Sequence, residues 1–259
     1  MNTEYSRHLS QLRDRGLVPD TVRAVYVAGS RVRGWGTAGS DLDFYVIVED
    51  RWPVPGSNVA PVALRPDTIT IELIRVNREQ WYVQYWLDSQ VDQVLEKVSW
   101  TEFETNESVG ALLTSREVDF LERLTYAVAV TGEDWLLQRR QQMQRSALRS
   151  ILTSRSLHNS HLFLEDAVGQ LRSGDVESAV LSARLALGCA IQALLADNGR
   201  FTQSTKWSAR QLRDTPQDVL SFDEYWELET MRDYSPEHPG RWVEDVLAVC
   251  RRISQAVRV

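Results

Sequence analysis

The chain has 259 residues, 43% of them hydrophobic and 25% charged, with a formal net charge of −7 at pH 7. That length suffices for one large or two modest domains with buried cores, and the acidic balance disfavours a broad basic face that would bind long nucleic acid. No run approaches the roughly 18 consecutive apolar residues of a membrane-spanning helix. The opening segment MNTEYSRHLSQLRDRG is polar rather than signal-like, so a cytoplasmic protein with no membrane partner is expected.

In chain order, residues 4–15 read as an amphipathic helix stopped by Gly16, with Pro19-Asp20 as the following turn. Apolar, β-branched runs predict strands at 23–28, 42–48 and 68–76. Gly29-Ser30 ends the first run, Gly34, Gly36 and Gly39 permit a tight loop, and Ser40 immediately precedes Asp41. The proline-rich stretch 51–67 reads as a loop or edge excursion. From Arg78 onwards Trp81, Tyr82, Tyr85 and Trp86 recur at helical spacing and predict a packing helix, with an aromatic substrate shelf as the lesser alternative.

The second half reads as helical throughout. Residues 116–144 form two helical parts broken at Thr131-Gly132, and 146–171 forms a long helix. After a turn at Gly174-Asp175 comes the strongest helical segment, 176–197, closed by Asn198-Gly199. Helices at 205–213 and 222–233, a break at Pro236–Gly240 and a last helix at 241–256 complete the chain. Cys189 and Cys250 fall in these helical patterns without metal-ligand spacing and fit reduced thiols, while the histidines, His158 and His161 among them, make no zinc pattern. The sum is an α+β protein: an N-terminal sheet domain over residues 1–112, then an all-α domain over 113–259.

Chemistry concentrates at the opening of the second strand. Side chains alternate along a strand, so Asp41 and Asp43 project to one side, roughly 6 to 7 Å apart at Cα. Like charges held that close repel unless a cation lies between them, and hard oxygen ligands suit Mg²⁺ or Mn²⁺, which accept phosphate oxygens in their remaining positions. Gly29 and Ser30 add a phosphate cradle, since glycine admits close backbone approach. Glu72 is the sole acid in the apolar run TITIELIRV, where an unpaired carboxylate would be costly. It is either a ligand or base, or a solvent-facing acid on an alternating strand.

The order of apolar strand, Gly-Ser, glycine-rich loop, Ser-Asp-x-Asp and apolar strand resembles the signature of the polymerase-β-like nucleotidyltransferase superfamily. With the helical half it resembles the antibiotic nucleotidyltransferases of the aminoglycoside type. That resemblance implies a small mixed nucleotidyltransferase sheet with flanking helices, followed by a helical bundle that completes the nucleotide and acceptor cleft. It implies Asp41, Asp43 and Glu72 as catalytic and metal residues, Gly29, Ser30 and Ser40 at the triphosphate, and Arg184 and Lys206 on its β- and γ-phosphates. The spacing from Arg184 to Lys206 is longer than in that pattern. The implied reaction moves a nucleotidyl group from an NTP, with ATP expected, to a hydroxyl of a small molecule such as an aminoglycoside-like compound, releasing pyrophosphate. Bland readings stand beside these: an ion pair for Arg184 with Glu165 or Asp166, a solvated Lys206, and helix-start or solvated charges for Glu133, Asp134, Glu165 and Asp166. The competing reading is a minimal nucleotidyltransferase of the toxin–antitoxin type that modifies protein or RNA. Arg155 to His161, RSLHNSH, formally fits the R-x5-H form of its ribonuclease partners. A third is a silent binding protein that keeps the fold.

Overall fold

β-branched and aromatic residues make the first two strands, β1 (Ala24–Ala28) and β2 (Leu42–Val48), which pair antiparallel in the register that sets Ala28 opposite Asp43. In this computed structural model residues 3–52, 57–202, 204–215 and 218–259 are described. The chain divides into two compact units: residues 1–105 with 112–146, and residues 106–111 with 147–259.

The first unit continues with β3 (Asn58–Pro61), β4 (Thr68–Val76), β5 (Glu79–Leu87) and β6 (Val128–Thr131). Together they form a mixed sheet in the order β3-β4-β5-β2-β1-β6, with β2 and β5 parallel. Its helices are α1 (Thr3–Arg13), α2 (Asp88–Lys97), α3 (Trp100–Thr105), α4 (Ser115–Tyr126) and α5 (Glu133–Gln144). Strand alternation sorts the side chains into two buried layers. Val25, Val27, Phe44, Val46, Trp81 and Val83 face one way and pack with Leu9 and Leu12 of α1. On the other face Trp86 meets Phe120 of α4 with ring centroids 4.3 Å apart, and Tyr26 meets Trp135 of α5 at 6.4 Å. The central strands β1, β2 and β5 are therefore covered on both faces.

Three expectations are corrected here. Residues 79–87 are a strand, not a helix: Trp81, Val83 and Tyr85 serve one face while Trp86 serves the other, so burial on both sides overwrites the alternation that marks a half-exposed strand. Asn77 and Arg78, with φ of 48° and 72°, form the two-residue turn that joins β4 to β5, the conformation favoured for tight hairpins. Within 116–144 the segment ahead of Thr131-Gly132 holds β6, too short to show a period, which pairs with β1. That pairing, Phe120 beneath the sheet, and Trp135 Nε1 and Arg139 Nη2 donating to Asp88 Oδ1 at 2.9 and 2.6 Å draw residues 112–146 into the first unit. The division expected at residue 112 accordingly falls after Ser146 instead. The proline-rich stretch does contain an edge strand, β3, while Pro53 to Gly56 lie outside the described residues.

The second unit comprises α6 (Leu148–Ser173), α7 (Val176–Asp197), a 3-10 turn at Thr205–Trp207, α8 (Ser208–Asp214), α9 (Phe222–Glu229) and α10 (Pro239–Ala256). Gly174, at φ 82°, ends α6, and Asp175 caps α7 by accepting from the Ser178 N–H at 3.2 Å. Ala183, Leu187, Ile191 and Leu194 of α7 pack against Val243, Val246 and Ile253 of α10. By length and composition α7 would pass for a membrane span, yet 67% of its most apolar stretch is buried within the protein.

The strand at 79–87 has a test of opposite sign to the helical reading. Arg78→Gly relieves a left-handed non-glycine residue in a turn that prefers glycine at its second position, so stability rises by about 0.5–1 kcal/mol. In a helix beginning at Arg78 the same change would bring no gain and would cost up to about 1 kcal/mol. The urea unfolding midpoint distinguishes the two.

Candidate functional site

Antiparallel pairing carries Gly29, the first residue beyond β1, to the start of β2, and Gly29 lies against Asp43. Its φ of +94° is one that side-chain-bearing residues avoid, and a Cβ there would fall on Asp43 Oδ2 and 2.6 Å from Arg123 Nη1. Glycine is required for backbone, carboxylate and guanidinium to meet. Beyond it the loop folds on itself: the Ser30 carbonyl accepts from the N–H groups of Trp35 and Gly36 at 2.8 and 2.9 Å, and the Gly29 carbonyl from Arg33 at 3.3 Å. Arg33 is clasped between the Trp35 and Tyr126 rings, 3.4 and 3.8 Å from their centroids, and pairs with Glu122 at 3.3 Å. Ser40 spends its hydroxyl on this loop, accepting from the Thr37 N–H at 2.9 Å. That bond closes the loop just ahead of Asp41.

Asp43 is anchored from across the chain. Arg123 of α4 donates to its Oδ2 at 2.8 Å and, through Nε, to Asp119 Oδ1 at 3.3 Å. Asp119 stands 3.4 Å from the Tyr45 hydroxyl, which accepts from Gln84 Nε2 at 2.9 Å, and Gln84 Oε1 accepts from Trp86 Nε1 at 3.2 Å. One polar network thus runs beneath the sheet from Asp43 to Trp86. Burial works against the Arg123 charge, but Asp43, then Tyr45 and Asp119, outweigh it and raise its pKa, so the guanidinium stays charged. Burial, reinforced by Asp119, pushes the Tyr45 phenol well up and keeps it a neutral donor.

Glu72 is not part of this constellation. In the register Glu72 opposes Val83 and Val83 opposes Phe44, which places it on the α1 side of the sheet, whereas Asp43 opposes Tyr82 and Tyr82 opposes Leu73 on the other side. Glu72 instead adds to burial in raising the pKa of Tyr85, a residue of the α1 side. The expectation that Glu72 completes a three-carboxylate site is corrected by strand parity: a shift of one residue sends a side chain through the sheet. Among the described residues no group of three or more Asp, Glu, His or Cys side chains is disposed to hold a metal ion. The donor set fits a divalent cation only through Asp41, exposed just ahead of β2, and Asp43, the other ligands coming from water and phosphate. At Asp43 such an ion would share its carboxylate with Arg123.

Arg184 and Lys206 lie in the second unit and line one pocket there. Arg184 pairs with Glu229 at 3.4 Å, not with Glu165 or Asp166. Glu133 and Asp134 occupy the first turn of α5, as their bland reading has it, and Glu165 sits 3.3 Å from His161. Arg155 and His161 are six positions apart on α6, about 240° around its axis, so the formal R-x5-H match does not present them on one face. The sequence reading missed Arg123, Asp119, Tyr45 and Gln84. The only local trace of them was the i,i+4 pair Asp119 and Arg123 on an amphipathic segment.

No protein-family model matches the chain, and no curated protein matches it. Among solved structures, a nucleotidyltransferase-like protein from Exiguobacterium sibiricum 255-15 is similar over 98% of this chain and 74% of its own, with a TM-score of 0.51 and 14% identity. The likeness establishes an α+β nucleotidyltransferase fold.

Gly29→Ala tests the contact at the heart of the site. The added methyl meets an unfavourable φ and separates Asp43 from Arg123, so stability falls by about 1–3 kcal/mol. Unchanged urea unfolding would mean that the three groups do not meet.

Proposed function

We propose that the chain transfers a nucleotidyl group from a nucleoside triphosphate, with ATP the expected donor, to a hydroxyl of a small molecule. The observation that carries the reading is the meeting of Gly29 and Asp43 at the open end of β1 and β2, on a nucleotidyltransferase fold. The acceptor oxygen bonds to the α-phosphorus, the bridging bond to the β-phosphate breaks, pyrophosphate leaves with the electron pair, and the acceptor proton passes to solvent.

In this reading the Gly29-Ser30 turn cradles the phosphates, because it offers close backbone approach beside a hydroxyl. Asp41 and Asp43 would hold Mg²⁺ or Mn²⁺. A bound ion supplies positive charge to the phosphate oxygens at a site whose arginines, Arg31, Arg33 and Arg123, are each paired with an acid. Arg123 fixes the rotamer of Asp43 through two carboxylate contacts of its own, so the site is held by packing rather than assembled on binding. Glu72, on the far side of the sheet, has no role in the chemistry. The small-molecule acceptor, aminoglycoside-like compounds included, follows from the resemblance and from the acidic net charge.

Mass spectrometry after incubation with ATP and Mg²⁺ tests this, with a panel of aminoglycosides and lincosamides in one arm and a cell lysate in the other. The expected product is a drug-sized molecule carrying one added nucleotide, and Asp43→Asn should reduce its formation at least about a hundredfold with the fold intact by circular dichroism. Labelled protein or RNA with unmodified drugs would move the chain to the toxin–antitoxin reading. No transfer in either arm would favour a silent binder in which the Asp43–Arg123 ion pair is permanent.

A further inference from the structure

Helix α7 has two apolar faces, and only one belongs to the core of the second unit. Ala183, Leu187, Ala190 and Leu194 are buried there, whereas Leu181 and Leu185 are 64% and 54% exposed. Those two leucines sit one turn apart and continue at the same spacing to Gly188 and Cys189, so they form a stripe rather than scattered exposure. The stripe is one wall of a pocket of about 640 Å³ closed by the 3-10 turn at Thr205–Trp207, α8 and α9, a size within the ordinary range of small-molecule sites. Gly188 forms part of its floor: a Cβ built there would meet no atom within 4 Å, so the space continues down to the helix backbone.

Charge gives this pocket a preference. Lys206 lines it and makes no ion pair among the described residues, its ammonium lying 5.4 Å from the Trp207 ring centroid. Arg184 of α7 also lines it and shares a single 3.4 Å contact with Glu229, leaving the pair of cations one acid short. Tyr225 contributes a phenol whose pKa is pushed up to about 12 by burial and then by Glu229, so it stays neutral. Two cations at the mouth of a leucine-lined cavity would repel a polyamine. A triphosphate chain could use the cations but not the apolar wall formed by Leu181, Leu185 and Ile191.

We propose that this pocket binds a small amphipathic organic anion, its apolar body on Leu181, Leu185 and Gly188 and its carboxylate or phosphate head between Lys206 and Arg184. The ligand class follows from the helical unit alone and does not rest on nucleotidyl transfer. If the pocket serves that reaction, the acceptor is an apolar acid rather than a polycationic aminoglycoside.

Isothermal titration of the full chain with octanoate, octyl phosphate, octyltrimethylammonium and ATP tests the proposal. The two octyl anions should bind at least tenfold more tightly than the octyl cation, and whichever anion binds better identifies the head group. Lys206→Ala should weaken anion binding about tenfold, and Gly188→Leu, which fills the floor, should abolish it. Asp43→Asn should leave it unchanged, which separates this pocket from the site in the sheet unit. Cys189, half-buried in the pocket wall, supplies a readout on the unaltered protein: the octyl anion should slow its alkylation by N-ethylmaleimide at least threefold. Equal binding of cation and anion would overturn the proposal, as would binding indifferent to Lys206 and Gly188 or alkylation of Cys189 that the anion does not slow. Lys206-dependent binding of ATP without binding of either octyl anion would overturn it in favour of a phosphate subsite.

Discussion

The ion pair between Asp43 and Arg123 is the constraint on which the sheet unit turns. It joins the strand that carries the Asp-x-Asp motif to a helix eighty residues later in the chain, and it does so where Gly29 brings the end of β1 into contact with both partners. A guanidinium and a carboxylate, 27% and 18% exposed, are screened far less than a surface pair, and removing one partner would leave the other largely desolvated and uncompensated. Placement of α4 on the sheet, the rotamer of Asp43 and the requirement for glycine at position 29 therefore depend on one another.

Around that pair the acidic chain sets its cations against matching acids. Arg33 is held between two aromatic rings and Glu122, and Arg31 pairs with Glu79 at 2.9 Å. Both belong to the loop that leads from the Gly-Ser turn to the aspartates. The overall charge of −7 thus says little about the field near this loop; local pairs, not the sum, set what an anionic phosphate would meet.

Local signals in the sequence located most elements that have a strong period or a cap. Helix α7 spans the expected 176–197, because its cap Asp175 and its terminator Asn198-Gly199 are written in adjacent residues. The strand that ends before Gly29 and those bearing Asp43 and Glu72 are legible as apolar runs. Their relation is not. Which face Glu72 occupies depends on the register of β4 on β5 and of β5 on β2, and β5 itself was hidden because Trp81, Tyr82, Tyr85 and Trp86 imitate a helical spacing while serving both faces of a covered sheet. Arg123 was beyond reach for a related reason: nothing near it in sequence indicates a partner on a strand formed eighty residues earlier. Motif reading found the aspartates, while the groups that hold them came from tertiary packing.

The most direct test of this account is a double-mutant cycle on Asp43 and Arg123, with Asp43→Asn, Arg123→Gln and the double variant compared by urea unfolding. The account predicts a coupling of about 1–3 kcal/mol, each single variant losing most of what the pair loses together. Additive losses with no coupling would show that the two side chains are not partners in solution, and the site built around them would have to be drawn again.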